Sequence, residues 1–201
     1  MSPRNRSRRI ARVAAIARQE RFDLRNPVVL GGLAGASVLA VSLALASTAW
    51  AGPGDAASAA LMNAEGEPVG TVELAQRENG TSVIVHLENL PEGTHAFHIH
   101  ETGECEPPFK SAGGHYNPTM ANHGFDSQAG PHVGDLPNIY VPASGELSFE
   151  MFNTRLEVGD SLLDNDGAAV VIHEGADDYE TDPAGAAGDR IACGVLKGPA
   201  G

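Results

Sequence analysis

The sequence predicts an all-β protein, an antiparallel sandwich or barrel with two long functional loops. Three observations carry that expectation. From Ala56 onward the apolar residues come in short alternating or β-branched runs. Turn-forming residues separate those runs, and the chain's 24 glycines and 13 prolines supply them freely. No segment of this part sustains a 3.6-residue apolar period long enough for a substantial helix. Many short strands with Gly/Pro turns are the mark of a sandwich or barrel.

The elements follow in chain order. Ala59–Asn63 alternates and reads as a first strand. Val69–Leu74 and Val83–Leu87 read as a hairpin, because Asn79-Gly80 between them is a strong type I′ turn signal. Five further strands are expected over His95–Glu101, Asn138–Val141, Glu146–Phe152, Ala168–His173 and Ile191–Leu196. Thr102–Leu136 and Glu174–Asp189 do not read as strands, and connections of that length inside a compact domain usually carry function.

Charge divides the 201 residues in two. Residues 1–51 carry eight arginines against Glu20 and Asp23, a balance of +6. Residues 52–201 carry five basic residues against 24 acidic ones, a balance of −19. A body so acidic lacks the basic footprint that nucleic acid requires, and no nucleic-acid partner is expected. A chain 42% apolar and 19% charged is also not a disordered acidic polymer.

The first 51 residues read as an export segment. The basic leader is followed by Val28–Ala46, almost wholly apolar or small, and by Ala49-Trp50-Ala51, a small-x-small pattern of the kind signal peptidase cuts. The apolar stretch is also near the length that spans a bilayer, so a retained N-terminal anchor stands beside a cleaved signal peptide. Either way the arginines hold the N-terminus in the cytoplasm and send the acidic domain, residues 52–201, out of it. Membrane association is expected only if the segment is retained, and the sequence leaves monomer and homodimer open. In an oxidising compartment Cys105 and Cys193, the chain's only cysteines, read as a disulfide closing a loop of about 90 residues, worth roughly 4–5 kcal/mol in the chain-entropy model. The competing reading, thiolate metal ligands, lacks a Cys-x-x-Cys pair.

All eight histidines lie in the acidic domain. In a strand, His98-Ile99-His100 puts both imidazoles on one face and turns Phe97 and Ile99 to the other, a preformed two-toothed arm. His115, His123, His132 and Asp135 fall on a glycine-rich segment that can fold back on itself. Three imidazoles and a carboxylate make a closed four-coordinate set suited to structural zinc. His173 ends a strand and meets the His98/His100 face only if the sheet closes. A histidine-rich site free of thiolates suits copper(II) or zinc and not an iron–sulfur cluster. His86 is expected at the surface, and His95 to hydrogen-bond near the arm without ligating.

These residues resemble the copper–zinc superoxide dismutase family. The resemblance rests on Phe97-His98-Ile99-His100-Glu101, Gly113-Gly114-His115-Tyr116-Asn117-Pro118, His132-Val133-Gly134-Asp135-Leu136, Val171-Ile172-His173-Glu174 and Arg190-Ile191-Ala192-Cys193-Gly194-Val195, in that order, and covers residues 56–198. It implies an eight-stranded Greek-key β-barrel, an exported oxidoreductase, superoxide as substrate, and one copper and one zinc ion per subunit. It implies copper on His98, His100, His115 and His173, and zinc on His115, His123, His132 and Asp135, with His115 shared as an imidazolate. It further implies that Asp177 orients a histidine on each side, that Arg190 lines the approach to copper, and that the Cys105–Cys193 disulfide tethers the loop beside Arg190. In the reaction so implied, His115 releases copper on reduction and takes the proton later given to peroxide.

The chain departs from the family's usual charge pattern in Glu174–Asp189, which holds six acids and no lysine. Lys110, the only basic residue between Arg77 and Arg155, is therefore expected to steer the anion. A copper carrier built on the same barrel would lack a copper ligand or Arg190, and a copper-only dismutase would lack part of the zinc set. The sequence holds all of these residues.

Overall fold

The structure is a computed structural model that describes residues 56–199. The arginine-rich leader, Val28–Ala46 and Ala49-Trp50-Ala51 lie outside the described residues. Nine strands occur among the described residues: β1 (Ala56–Asn63), β2 (Pro68–Arg77), β3 (Gly80–Leu87), β4 (Gly93–His95), β5 (Phe97–His100), β6 (Ile139–Val141), β7 (Leu147–Asn153), β8 (Ala169–His173) and β9 (Arg190–Val195). The only helical element among them is a single 3-10 turn, Lys110–Ala112. Seven strands form one antiparallel sheet in the order β5-β8-β9-β1-β2-β3-β7, and β4 pairs with β6. Neighbours distant in sequence, such as β3 with β7 and β5 with β8, give the curled sheet its crossing connections.

Period-two alternation sets the core. Along β1, Ala57, Ala59 and Leu61 are buried while Ser58, Ala60 and Met62 face outward. Val72 and Leu74 of β2, Val83 and Val85 of β3, Phe97 and Ile99 of β5, and Val170 and Ile172 of β8 fill the same interior. Each buried aliphatic or aromatic side chain contributes about 1.5–3 kcal/mol by leaving water. A smaller second core lies on the other face of β8 and β9, where Phe109 and Ala112 pack on Ala169, Val171 and Cys193. That is why all five residues of β8 are buried: both faces of this strand are covered.

Two expectations are corrected. The β2–β3 hairpin forms, but its two-residue loop is Glu78-Asn79, with Arg77 paired to Gly80. Gly80 is the first residue of β3 at φ +142°, and a Cβ there would lie 2.4 Å from the carbonyl oxygen of Asn153. The glycine serves close approach of the β7 end, not a type I′ turn. The single strand expected over His95–Glu101 is broken at Ala96 into β4 and β5. Ala96 donates its N–H to Gly175 and accepts from the His173 N–H, at 2.7 and 3.0 Å, where the chain leaves the β6 side for β8. Residues 154–167, for which the sequence carried no assignment, form an irregular crossing between β7 and β8. It buries Leu156, Val158 and Leu162 in the main core, with the Leu156 carbonyl accepting from the Thr81 hydroxyl at 2.7 Å.

Candidate metal centre

Strand β5 presents His98 and His100 opposite Phe97 and Ile99, all four fully buried. Strand β8 pairs with β5 so that Val171 lies across from His98, and His173 emerges at the end of the same sheet edge. On its other side β5 meets the long loop. Backbone bridges set His115 against His100 and Asp135 against His98. Ile99, Tyr116 and Gly134 exchange three backbone hydrogen bonds of 2.8–2.9 Å. A Cβ on Gly134 would lie 2.3 Å from the Ile99 carbonyl oxygen, so the loop reaches β5 only with glycine there.

Two groups of candidate ligand atoms result, each with all its atoms within 4.8 Å of one another: His98, His100, His115 and His173, and His115, His123, His132 and Asp135. Nδ1 of His115, His132 and His123 lie 2.8, 3.1 and 3.2 Å from the same Asp135 oxygen, Oδ1. These separations are close to the edge of a tetrahedron whose centre-to-ligand distance suits zinc, about 3.3 Å. The other Asp135 oxygen accepts the backbone N–H groups of Gly124 and His132 at 2.9 and 3.0 Å.

The ring nitrogens show what the groups are for. Nε2 of His98 and of His123 each donate to one oxygen of Asp177, at 2.7 and 3.0 Å. His100 Nδ1 donates to the Gly113 carbonyl at 3.1 Å, and His173 Nδ1 faces the Gly188 carbonyl. The buried side-chain polar atoms left without a partner among the described residues are His98 Nδ1, His100 Nε2, His115 Nε2, His123 Nδ1 and His173 Nε2. An unpaired buried polar atom costs about 1–3 kcal/mol, and four of these five converge in the first group, which fits a bound cation there, while His123 Nδ1 belongs to the second. His115 has one nitrogen in each set.

Asp177 is itself held. Asn138 clamps its backbone, donating from Nδ2 to the Asp177 carbonyl and accepting the Asp177 N–H at Oδ1, both at 2.8 Å. The Tyr179 hydroxyl accepts the Asn138 N–H at 2.7 Å, and Asp182 Oδ1 accepts the His123 N–H at 2.8 Å. These partners escaped the sequence reading, because an asparagine before a strand and two polar residues in an acidic loop carry no periodic signal. Burial pushes the Asp177 carboxyl up, but hydrogen bonds from His98, His123 and the Tyr179 N–H outweigh it and bring its pKa down to about 2. Asp135 is likewise pushed up by burial and brought well below the ordinary carboxylate range by His115 and the Gly124 N–H. Both are anions at neutral pH. Burial depresses His115 to about 4 and His173 to about 3, which leaves their lone pairs free at neutral pH.

These shifts make the metal-free protein acid-sensitive. Unfolded imidazoles take up a proton below about pH 6.5, whereas folded His115 and His173 do so only near 4 and 3. The unfolded state therefore binds more protons across that interval, and stability falls as the pH falls through it. Each of the two groups should remove about 1.4 kcal/mol per pH unit there. Urea midpoints of chelator-treated protein should drop between pH 7 and pH 5; a midpoint unchanged over that range contradicts the burial of these rings.

The sulfurs of Cys105 and Cys193 are bonded, with a Cα–Cα separation of 5.7 Å, as expected for an oxidising compartment. The disulfide anchors the segment 105–113 beside Arg190, whose Nη1 and Nη2 donate to the carbonyls of Phe109 and Gly113, each at 2.6 Å. Arg190, Lys110, Pro108, Gly188 and Asp189 line one open cavity of about 520 Å³. His95 is in neither group; its Nδ1 and Nε2 lie 2.9 and 3.0 Å from the carbonyl oxygens of His173 and Pro91, and exposed His86 meets Ser148.

Residues 69–196 match the sequence model of the family described as copper/zinc superoxide dismutase (SODC). The chain is 48% identical over 147 residues to a Cu-Zn superoxide dismutase of Aquifex aeolicus, covering 70% of this chain and 86% of that protein. A solved SOD-like protein from Bacillus subtilis is similar in fold, with a TM-score of 0.67 at 40% identity, over 70% of this chain and 97% of that one. The Cu/Zn superoxide dismutase from Brucella abortus gives 0.61 at 29% identity, over 71% and 99%. The match spans most of the described residues and most of the length of these relatives, and the chain belongs to the copper/zinc superoxide dismutase family.

Proposed function

We propose that this superoxide dismutase holds copper on His98, His100, His115 and His173 and zinc on His115, His123, His132 and Asp135, with superoxide as substrate. The observation that carries the assignment is the two-sided position of His115, whose Nδ1 faces Asp135 while Nε2 is buried with no protein partner. When bound, copper supplies the one-electron chemistry that takes one superoxide to dioxygen and a second, with two protons, to hydrogen peroxide, and zinc supplies charge and rigidity without redox change.

The chain's own residues do the rest. Asp177 fixes one histidine of each set by its Nε2–H, so that Nδ1 of both rings points inward. His115 Nε2 is the atom placed to hold a proton for the peroxide product. Arg190 spends two of its donors on Phe109 and Gly113, which fixes the plane of the guanidinium and leaves its charge facing the cavity. A fixed cation in a partly buried cleft attracts a small anion and needs no reorganisation when it arrives. Lys110 lines the same cavity and adds longer-range attraction in an otherwise acidic domain.

Anomalous scattering at the copper and zinc edges should place one ion on each side of His115, in protein that consumes superoxide. Both ions on one side, or ions away from these histidines, would reject the assignment. Arg190→Gln should lower the rate at low ionic strength by about 10-fold or more while both metals stay bound. Lys110→Gln should lower it less and flatten its dependence on salt, since added ions screen a charge about 10 Å away at 0.1 M. A salt dependence identical to that of the unmodified protein removes Lys110 from steering.

Export fits the disulfide and the composition of residues 1–51. On this reading the leader is a signal peptide or a retained anchor, residues 52–201 act outside the cytoplasm, and the enzyme shields the cell envelope from extracellular superoxide. Mass spectrometry of the protein recovered from the envelope fraction distinguishes a cut after Ala51 from an intact N-terminus.

A further inference from the structure

Phe109 combines three features that do not ordinarily meet in one residue. Its side chain is fully buried, packed with Ala112, Ala169, Val171 and Cys193 in the second core. Its backbone is left-handed, φ +67° and ψ +16°, which a bulky L-residue adopts only when its surroundings impose it. Its carbonyl accepts the Arg190 Nη1–H at 2.6 Å and also the Ala112 N–H that closes the 3-10 turn, at 3.2 Å.

We infer that Phe109 is a positioning residue for substrate capture: its buried ring holds the strained backbone that aims a carbonyl at Arg190. The steps are physical. Glycine would adopt this conformation freely but would have nothing to hold it, whereas the ring seated against β8 and β9 fixes where the Phe109 carbonyl points. The disulfide fixes the same loop from Cys105, four residues earlier, and ties it to Cys193, which lines the pocket that takes the ring. Arg190 is thereby held at two points: Gly113, whose carbonyl also receives His100 Nδ1, and Phe109. The first links the guanidinium to the histidine arm. The second depends on one apolar side chain. Lys110 follows Phe109 directly, so the same plug sets where the second cation of the cavity leaves the chain.

This inference rests on the reading of Arg190 as the residue that meets the anion, and the test separates the two. The probe is azide, a small monovalent anion, titrated against the copper absorption of the holoenzyme. In parallel, Arg190 guanidinium signals are followed by ¹⁵N–¹H NMR in the copper-reduced, diamagnetic holoenzyme. In the unmodified protein, distinct slowly exchanging Nη protons are expected; a single averaged signal overturns the inference whatever any variant does. Phe109→Ala should average those signals and weaken azide by about 3- to 10-fold with copper and zinc contents unchanged. Phe109→Leu, which refills the pocket, should restore most of the affinity. In an Arg190→Gln background Phe109→Ala should have no further effect on azide. If Arg190→Gln alone leaves azide affinity unchanged, the reading of Arg190 fails. If Arg190→Gln weakens azide but Phe109→Ala and Phe109→Leu both bind it as the unmodified protein does, or if Phe109→Ala costs as much in the Arg190→Gln background, the positioning role fails.

Discussion

Replacing His173 with alanine, alone or together with His98→Ala, is expected to remove copper and dismutation together and leave zinc in place. Partners that merely orient a ligating histidine are worth about 10- to 100-fold in metal affinity or activity, so losing a ligand should cost more than about 100-fold in copper affinity. The two substitutions act from different elements, β5 and β8, which lie far apart in sequence and meet by direct antiparallel pairing. The fold should tolerate His173→Ala, since the two backbone partners of this corner, Ala96 to His173 and Ala96 to Gly175, do not involve the imidazole. His98→Ala also strips Asp177 of one of its two imidazole donors, so the double variant should loosen the loop that carries Asp177. Copper and zinc contents by mass spectrometry, with superoxide consumption on the same samples, provide the check. Full activity in the double variant overturns the copper assignment, and loss of zinc from His173→Ala overturns the division of the two sets.

Asp135→Ala is expected to have the largest effect on stability. The carboxylate takes the Nδ1 atoms of His115 and His132 at one oxygen, with His123 Nδ1 3.2 Å away, and two backbone N–H groups at the other, all buried. Without it, the N–H groups of Gly124 and His132 are left with no acceptor, at about 1–3 kcal/mol each. A loss of about 4 kcal/mol in a domain of this size lowers Tm by roughly 10–20 °C. That part of the effect belongs to the protein alone and should appear in calorimetry of chelator-treated samples. Zinc should be lost as well, and with it the largest part of the metal-linked stabilisation. Asp135→Asn, which retains one acceptor oxygen, should fall between. A metal-free Asp135→Ala protein that melts within a few degrees of the unmodified one would show that the carboxylate is not the keystone of this loop.

The site was legible in the sequence wherever chemistry and local geometry coincide. His98 and His100 are two residues apart on a strand, and period two alone puts them on one side with Phe97 and Ile99 on the other. The crowding of His115, His123, His132 and Asp135 on a glycine-rich segment announced a closed set before any contact was known. Strand positions were legible for the same reason, and their ends moved by no more than three residues where a strand stayed whole. What escaped were the features made by another element's backbone. Nothing near Ala96 marks a break, because the break exists only where Gly175 and His173 arrive to take its N–H and carbonyl. Gly80 read as a turn residue, yet it is fixed by Asn153 from β7. Leu156 and Leu162 read as part of an unassigned stretch, and the curled sheet packs them into the core.

Residue type and spacing alone fixed the kinds of ligand, their grouping, the all-β pattern and the charge division between residues 1–51 and 52–201. These are properties of residue type and short-range periodicity, which survive in any conformation the chain can reach. Only the tertiary structure decided that His173 joins His98, that Asn138 clamps Asp177, and that Arg190 is held between Phe109 and Gly113. Each of these unites residues roughly 35 to 80 positions apart, a separation that local propensity does not constrain and that strand pairing and loop packing bring together.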